Sequence, residues 1–277
     1  PYGNTLTAEM AKAAVVAEKL GKGEATDFLA VSFSSPDYIG HAFGPNSWEM
    51  VDDYVRLDEE LGKLLSFLDQ TVGKNQYTVF LTADHAVAHI PAFMQENKLP
   101  GGILDDGAMI KDMNAQLKAN FGIDKCIVAF MNYQTYLNHT AIEAAHADIQ
   151  KIKQWIIAYA MKNPAVANAI ATSDIMTTPM NKTLREMLAN GYNAHRSGDI
   201  QIILKPGYLE GSATGTSHGV WYPYDAHIPL LFYGWGIRKG KSNHETYMTD
   251  IAPTVAALLH IQMPSGSVGK VITDVMK

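Results

Sequence analysis

Apolar positions in the first hundred residues switch between a helical period and short unbroken runs. Residues 5–20 carry Met10, Ala13, Ala14 and Leu20 on one helical face, and Gly21 closes the pattern. Residues 27–35 read Asp-Phe-Leu-Ala-Val-Ser-Phe-Ser-Ser, an apolar run ending in small polar residues, which predicts a buried strand opening into a loop. After Gly44-Pro45-Asn46, residues 47–70 place Val51, Tyr54, Val55, Leu61, Leu64, Leu65 and Leu68 on one stripe of a long helix. Residues 77–82 form a second buried strand that ends at Ala83-Asp84-His85. This order is a β-α-β unit, and such units favour a parallel sheet with a right-handed crossover.

The middle third has another rhythm. Residues 105–120 and 140–161 read as helices, with a strand over 125–137 between them. Asn163-Pro164 and Thr177-Thr178-Pro179 interrupt the pattern before a helix over 182–190. Core-like elements return as strands over 198–205 and 228–233 and a helix from Asp250 to about residue 260, with Pro253 in its first turn. Residues 207–219 are rich in Gly, Ser and Thr and read as a loop. The expected organisation is an α/β core formed by 1–100 and 196–277, with 101–195 inserted as a cap.

Composition narrows the function classes. The 277 residues are 47% hydrophobic and 18% charged, enough apolar material for a sizeable core. The net charge of −6 argues against a nucleic-acid binder, because phosphate backbones require a basic face. No apolar run approaches the roughly 18 residues of a membrane helix, and no signal peptide is visible. A lone cysteine, Cys126, excludes an internal disulfide and reads as a buried strand residue.

Three strings carry candidate chemistry. Asp37-Tyr38-Ile39-Gly40-His41-Ala42-Phe43-Gly44-Pro45 follows the first strand pattern, and the four-residue spacing puts Asp37 and His41 on one side of a helical turn. Thr82-Ala83-Asp84-His85 ends the second, where both side chains reach one cleft only because the strand has stopped. Thr216-Ser217-His218-Gly219 adds an imidazole on a loop, with a glycine free to take an unusual φ. Two carboxylates and three imidazoles form a donor set suited to a paired-zinc hydrolase site. Each string alone has a structural reading, as a helix cap, a turn residue or a surface histidine. His85 and His89 form a rival i, i+4 pair, but Ile90-Pro91 follows at once. His244-Glu245 opens like H-E-x-x-H, and Met248 stands where the second histidine belongs.

With the tail Thr249-Asp250-Ile251-Ala252-Pro253-Thr254, these strings resemble the alkaline phosphatase superfamily, and most closely the bacterial alkaline phosphatases related to the type I phosphodiesterase/nucleotide pyrophosphatases. The resemblance covers the whole chain but only the C-terminal half of such an enzyme. It implies an alkaline-phosphatase-like α/β fold with a mostly parallel sheet and its N-terminal part missing. It implies two Zn2+ in the parent protein, with Asp37, His41 and His218 holding one and Asp84 and His85 giving two ligands to the other. The nucleophilic threonine or serine that forms the family's covalent phospho-enzyme matches nothing here. The chain is therefore expected to be inactive alone and to hold at most one zinc strongly. One departure is Ala86, where the family has glycine.

The implied parent is a periplasmic or secreted zinc phosphatase hydrolysing phosphate monoesters. A phosphodiesterase or nucleotide pyrophosphatase is the alternative within the superfamily, and a non-catalytic metal-binding or partner-binding fragment is the alternative outside it. Expected partners are small phosphate esters and the missing N-terminal half, with no nucleic acid and no membrane.

Overall fold

A computed structural model describes residues 1–211 and 214–277. Ser212 and Ala213, within the stretch read as a loop, lie outside the described residues. The chain is mixed α/β and divides into two units. One comprises Pro1–Tyr38, Trp48–Ala86 and Ile228–Lys277, and the other Ile39–Ser47 and Val87–His227.

In the first unit, α1 (Tyr2–Ala17) packs on α3 (Trp48–Leu68). Both helices form near their predicted spans, but the buried faces differ from the apolar stripes of the sequence. On α1 the buried residues are Asn4, Ala8, Ala11 and Val15, while Met10 is exposed. On α3 they are Met50, Asp53, Glu60 and Leu64, while Val51, Tyr54 and Val55 are exposed. Between these faces Asn4 Nδ2 donates to Asp53 Oδ1 at 3.1 Å, and both residues are buried.

Strand β1 (Thr78–Thr82) pairs antiparallel with β8 (Leu230–Gly234), from Thr78 opposite Gly234 to Thr82 opposite Leu230. Residues 27–34, expected as a strand, have no strand pairing among the described residues, and Phe28 and Leu29 are exposed. The parallel β-α-β unit is therefore not closed within this chain, because a strand exists only where a neighbour satisfies its ladder of N–H and C=O groups.

Helix α10 (Ile251–Leu258) begins within the tail string. The Asp250 carboxylate does not cap it. Its oxygens instead accept from Tyr247 N at 2.9 Å and Lys270 N at 2.7 Å, tying the next segment back. Thr254 Oγ1 donates to Asp250 O and accepts from Ile272 N. Gly269 lies so close that a Cβ there would sit 1.9 Å from Thr249 O.

The second unit holds the main core. Its four-stranded sheet runs β3 (Ile127–Met131), β4 (Gln134–Leu137), β6 (Ile200–Leu204), β5 (Val166–Ala171), all antiparallel. Helices α5 (Asp106–Phe121) and α7 (Ile149–Ala160) pack with it. Their starts are fixed by side-chain caps: Asp105 accepts from Ala108 N, and Asp148 from Gln150 N and Lys151 N. The single strand expected over 125–137 is a hairpin, and the helix expected over 140–161 is two, α6 (His139–Ala144) and α7. Strand β5 follows Asn163-Pro164 directly, where the sequence showed only an interruption. β6 is buried on both faces. Ile200, Ile202 and Leu204 join one cluster with Leu117, Ile152 and Ile156. Ile203 faces Ile170, Ile175 and the flank of α8 (Lys182–Gly191). Gln201 is tolerated between them because its amide donates to Tyr133 O and Ile202 O and accepts from Gln134.

A short parallel pair, β2 (Gly102–Leu104) and β7 (Tyr208–Glu210), places a strand inside the predicted 207–219 loop. Two short helices, α4 (Pro91–Glu96) and α9 (Pro223–Ala226), complete this unit. No described helix is long and apolar enough to cross a membrane.

Two outcomes are expected. Ile202→Ala should lower stability by about 2–5 kcal/mol in urea unfolding monitored by circular dichroism. A loss below 0.5 kcal/mol would contradict the packing of β6. Cys126 is fully buried, and desolvation, aided by Asp199, pushes its thiol up to about 11. Its thiolate is then scarce near neutrality, so alkylation should be about 100-fold slower in folded than in unfolded protein.

Candidate metal centre

Helix α2 (Ser35–Phe43) carries the first pair of candidate ligands. Asp37 lies in its first turn, where exposed backbone N–H groups favour a carboxylate, and His41 lies in its last. The i, i+4 relation puts both on one side of a single continuous helix. Gly44 ends that helix with φ +80° while its N–H donates to Gly40 O at 2.8 Å. A Cβ at Gly44 would meet the Ile90 side chain at 2.4 Å, so glycine is needed for space as well as for φ.

His218 arrives on the loop before α9. Its neighbour Thr216 is buried and pairs with His41 in both directions: Thr216 N donates to His41 O at 3.2 Å, and His41 Nδ1 lies 2.8 Å from Thr216 O. A carbonyl oxygen only accepts, so Nδ1 of neutral His41 carries the proton and Nε2 keeps its lone pair. The His41 and His218 rings are 5.0 Å apart between centroids, tilted by 47°. Gly219 follows with φ +98°, a conformation that glycine takes without strain. One ligand atom from each of Asp37, His41 and His218 lies within 4.8 Å of the other two.

Asp84 and His85 leave the end of β1. His85 Nδ1 is 2.8 Å from Ala86 O, which in the neutral ring again assigns the proton to Nδ1 and the lone pair to Nε2. That Nε2 approaches Asp37 Oδ1 at 3.8 Å and Asp84 Oδ2 at 3.6 Å. Asp37 thus lies near His85 and on the same helix as His41. Ala86 does not have positive φ, so its methyl group carries no backbone strain. His89 turns to Asn46, at 3.2 Å, and to the Phe93 ring, at 5.0 Å.

Other imidazoles have local roles. His139 pairs at 3.0 Å with Asp199, a largely buried carboxylate that also receives Lys153 and Leu137 N. His244 pairs with Asp274 at 2.6 Å, and this bond with one from Ser242 holds the exposed Asp274 carboxyl below its usual range. Sequence spacing marks the ligand candidates but not the Thr216 carbonyl that orients His41, because every residue has a carbonyl and only the fold selects one.

The donor set fits a divalent zinc-like ion. A carboxylate and two imidazoles whose ligand atoms lie within 4.8 Å of one another offer three protein donors, and mixed N/O donors suit zinc better than calcium. The observation that carries the fit is the orientation of His41 and His85, both of which present Nε2.

Comparison with known proteins gives this geometry a context. Alkaline phosphatase PhoV of Synechococcus elongatus (strain ATCC 33912 / PCC 7942 / FACHB-805) is 49% identical over 280 residues, covering 100% of this chain and 50% of that protein. Alkaline phosphatase PafA of Elizabethkingia meningoseptica is 48% identical over 277 residues, with the same coverage. The crystal structure of wild-type PafA superposes with a TM-score of 0.97, covering 100% of this chain and 53% of that one. Human ectonucleotide pyrophosphatase/phosphodiesterase 5 shares the fold at a TM-score of 0.70 and 18% identity, over 100% of this chain and 66% of that one. The chain spans about half the length of the curated relatives it matches. Residues 3–221 match the type I phosphodiesterase / nucleotide pyrophosphatase family, and the chain belongs to that family.

Proposed function

We propose that this chain supplies the metal-binding part of a zinc-dependent phosphatase that hydrolyses phosphate monoesters. The observation that carries the reading is the Asp37/His41/His218 cluster, together with the approach of His85 to Asp37. Asp37, His41 and His218 would hold one zinc, and Asp84 and His85 would give two ligands to a second. Zinc bound there supplies Lewis-acid stabilisation of charge developing on phosphoryl and leaving oxygens. The protein's own part is to fix the donors: α2 sets Asp37 against His41, and backbone carbonyls set both imidazoles with Nε2 outward. Preorganised donors need no rearrangement as charge develops.

The nucleophile belongs, in this reading, to polypeptide outside these 277 residues. Two hydroxyls beside the ligands are already committed: Thr216 Oγ1 donates to Ala88 O at 2.6 Å, and Thr82 Oγ1 to Pro229 O at 2.9 Å. The rest of the catalytic site comes from a segment equivalent to the half of the relatives that this chain does not span. Exposed apolar residues of the first unit support this, among them Phe28, Leu29, Leu81 and Leu231. They lie in strand-like segments that are apolar on both faces, a pattern suited to the middle of a larger sheet. A periplasmic or secreted setting belongs to the same proposal and rests on the family resemblance. The family match favours phosphate diesters or nucleotide pyrophosphates as the second reading. Comparing an aryl phosphate with its diester on the longer polypeptide decides between them.

Two measurements test the proposal. Zinc titration of this chain against a competing chelator should show at most one strong site. Asp37→Asn should weaken it by more than the 10–100-fold that changes outside the ligand shell typically cost. Two equally tight sites, both lost in Asp84→Ala, would contradict the assignment. Aryl-phosphate hydrolysis at alkaline pH with added zinc should be near background for this chain and substantial for a polypeptide of the relatives' full length. Equal turnover, with a phosphorylated residue mapped inside these 277 residues, would overturn the external nucleophile.

A further inference from the structure

We infer that Thr216 is a positioning residue for the proposed metal centre, acting through His41 and the loop that carries His218. The inference rests on the reading that His41 and His218 are metal ligands. Thr216 is buried, and each of its polar groups is used. Its N–H donates to His41 O, its carbonyl accepts from His41 Nδ1, and its hydroxyl donates to Ala88 O at 2.6 Å. Ala88, itself buried, donates its N–H to Ser217 O at 3.3 Å. Residues 216–217 are thus clamped on one side to the last turn of α2 and on the other to Ala88.

The clamp has two effects on the ligands. The Thr216 carbonyl selects the Nδ1–H tautomer of His41, the form with Nε2 open to a metal. The backbone pairing also fixes where the chain stands two residues before His218, so the distance between the imidazoles is set before any ion arrives. The hydroxyl holds the carbonyl in place. Without it, Ala88 O is left as a buried acceptor with no donor, and the segment shifts to find one. Valine has nearly the shape of threonine but cannot donate, whereas serine keeps the donor and loses only a methyl group.

The test uses the 277-residue chain with 15N-labelled histidine, metal-free and at alkaline pH, where ring nitrogen shifts report the tautomer. His41→Gln assigns the His41 signal. The expected pattern is Nδ1–H for His41 in the parent and in Thr216→Ser, with mixed tautomers in Thr216→Val. Zinc affinity should fall about 10–100-fold in Thr216→Val and stay within about threefold of the parent in Thr216→Ser. An Nε2–H tautomer in the parent overturns the inference, whatever the variants do and even if Thr216→Val fails to fold. So does parental tautomer and zinc affinity in folded Thr216→Val. A tautomer change without zinc binding in any form would instead overturn the metal reading and leave the orientation of His41 by Thr216 standing. Strong zinc binding unaffected by Thr216→Val would do the reverse.

Discussion

The pairing of His41 with Thr216 is the contact on which the site depends. Residues 175 positions apart meet through two hydrogen bonds: His41 Nδ1–H donates to the Thr216 carbonyl, and Thr216 N–H donates to the His41 carbonyl. Closing so long a loop costs conformational entropy, and only a well-packed body can hold it shut. The second unit provides that body, with β6 buried on both faces and α5 and α7 laid against the sheet. The Thr216 contacts tie the loop that carries His218 to this body.

The two units treat apolar residues differently. In the second, Leu104, Met113, Leu117, Ile152, Ile156, Ile200 and Leu204 form one contiguous buried cluster. In the first, large apolar side chains on α1, α3, β1 and β8 remain exposed, including Leu6, Trp48, Leu81 and Leu231. A two-stranded ribbon with apolar residues on both faces is marginal by itself in water. The sheet that fixes the ligand loop is well cored, while Asp84 and His85 follow a ribbon that gains little from burial.

Local electrostatics complete the arrangement. A carboxylate in the first turn of α2 lies where helix N–H groups favour it, and an imidazole in the last turn lies where carbonyls favour a donor. Both oriented imidazoles, His41 and His85, use main-chain carbonyls as the acceptor for Nδ1. A carbonyl cannot itself change protonation state, so it holds the tautomer by geometry alone.

Much of this was legible in the residues. The Asp37/His41 spacing, the Asp84-His85 pair after a strand, the glycine after His218 and the α/β class were all readable, because each depends on local spacing or backbone freedom. Helices α3, α5 and α8 and strands β1 and β6 also lie close to their sequence patterns. Other features required the tertiary structure. The apolar stripes of α1 and α3 did not give their buried faces, which instead carry Asn4 and Asp53, joined by a hydrogen bond between residues 49 positions apart. The run over 27–34 has strand composition but no neighbour, and a strand is a property of the pair. Thr216 reads in the sequence only as a residue beside a candidate ligand, since its bond to His41 is made by a carbonyl that every residue owns. Sequence determines which side chains carry the chemistry; the fold decides which backbone groups aim them, because hydrogen-bond partners distant in sequence are chosen only when the chain packs.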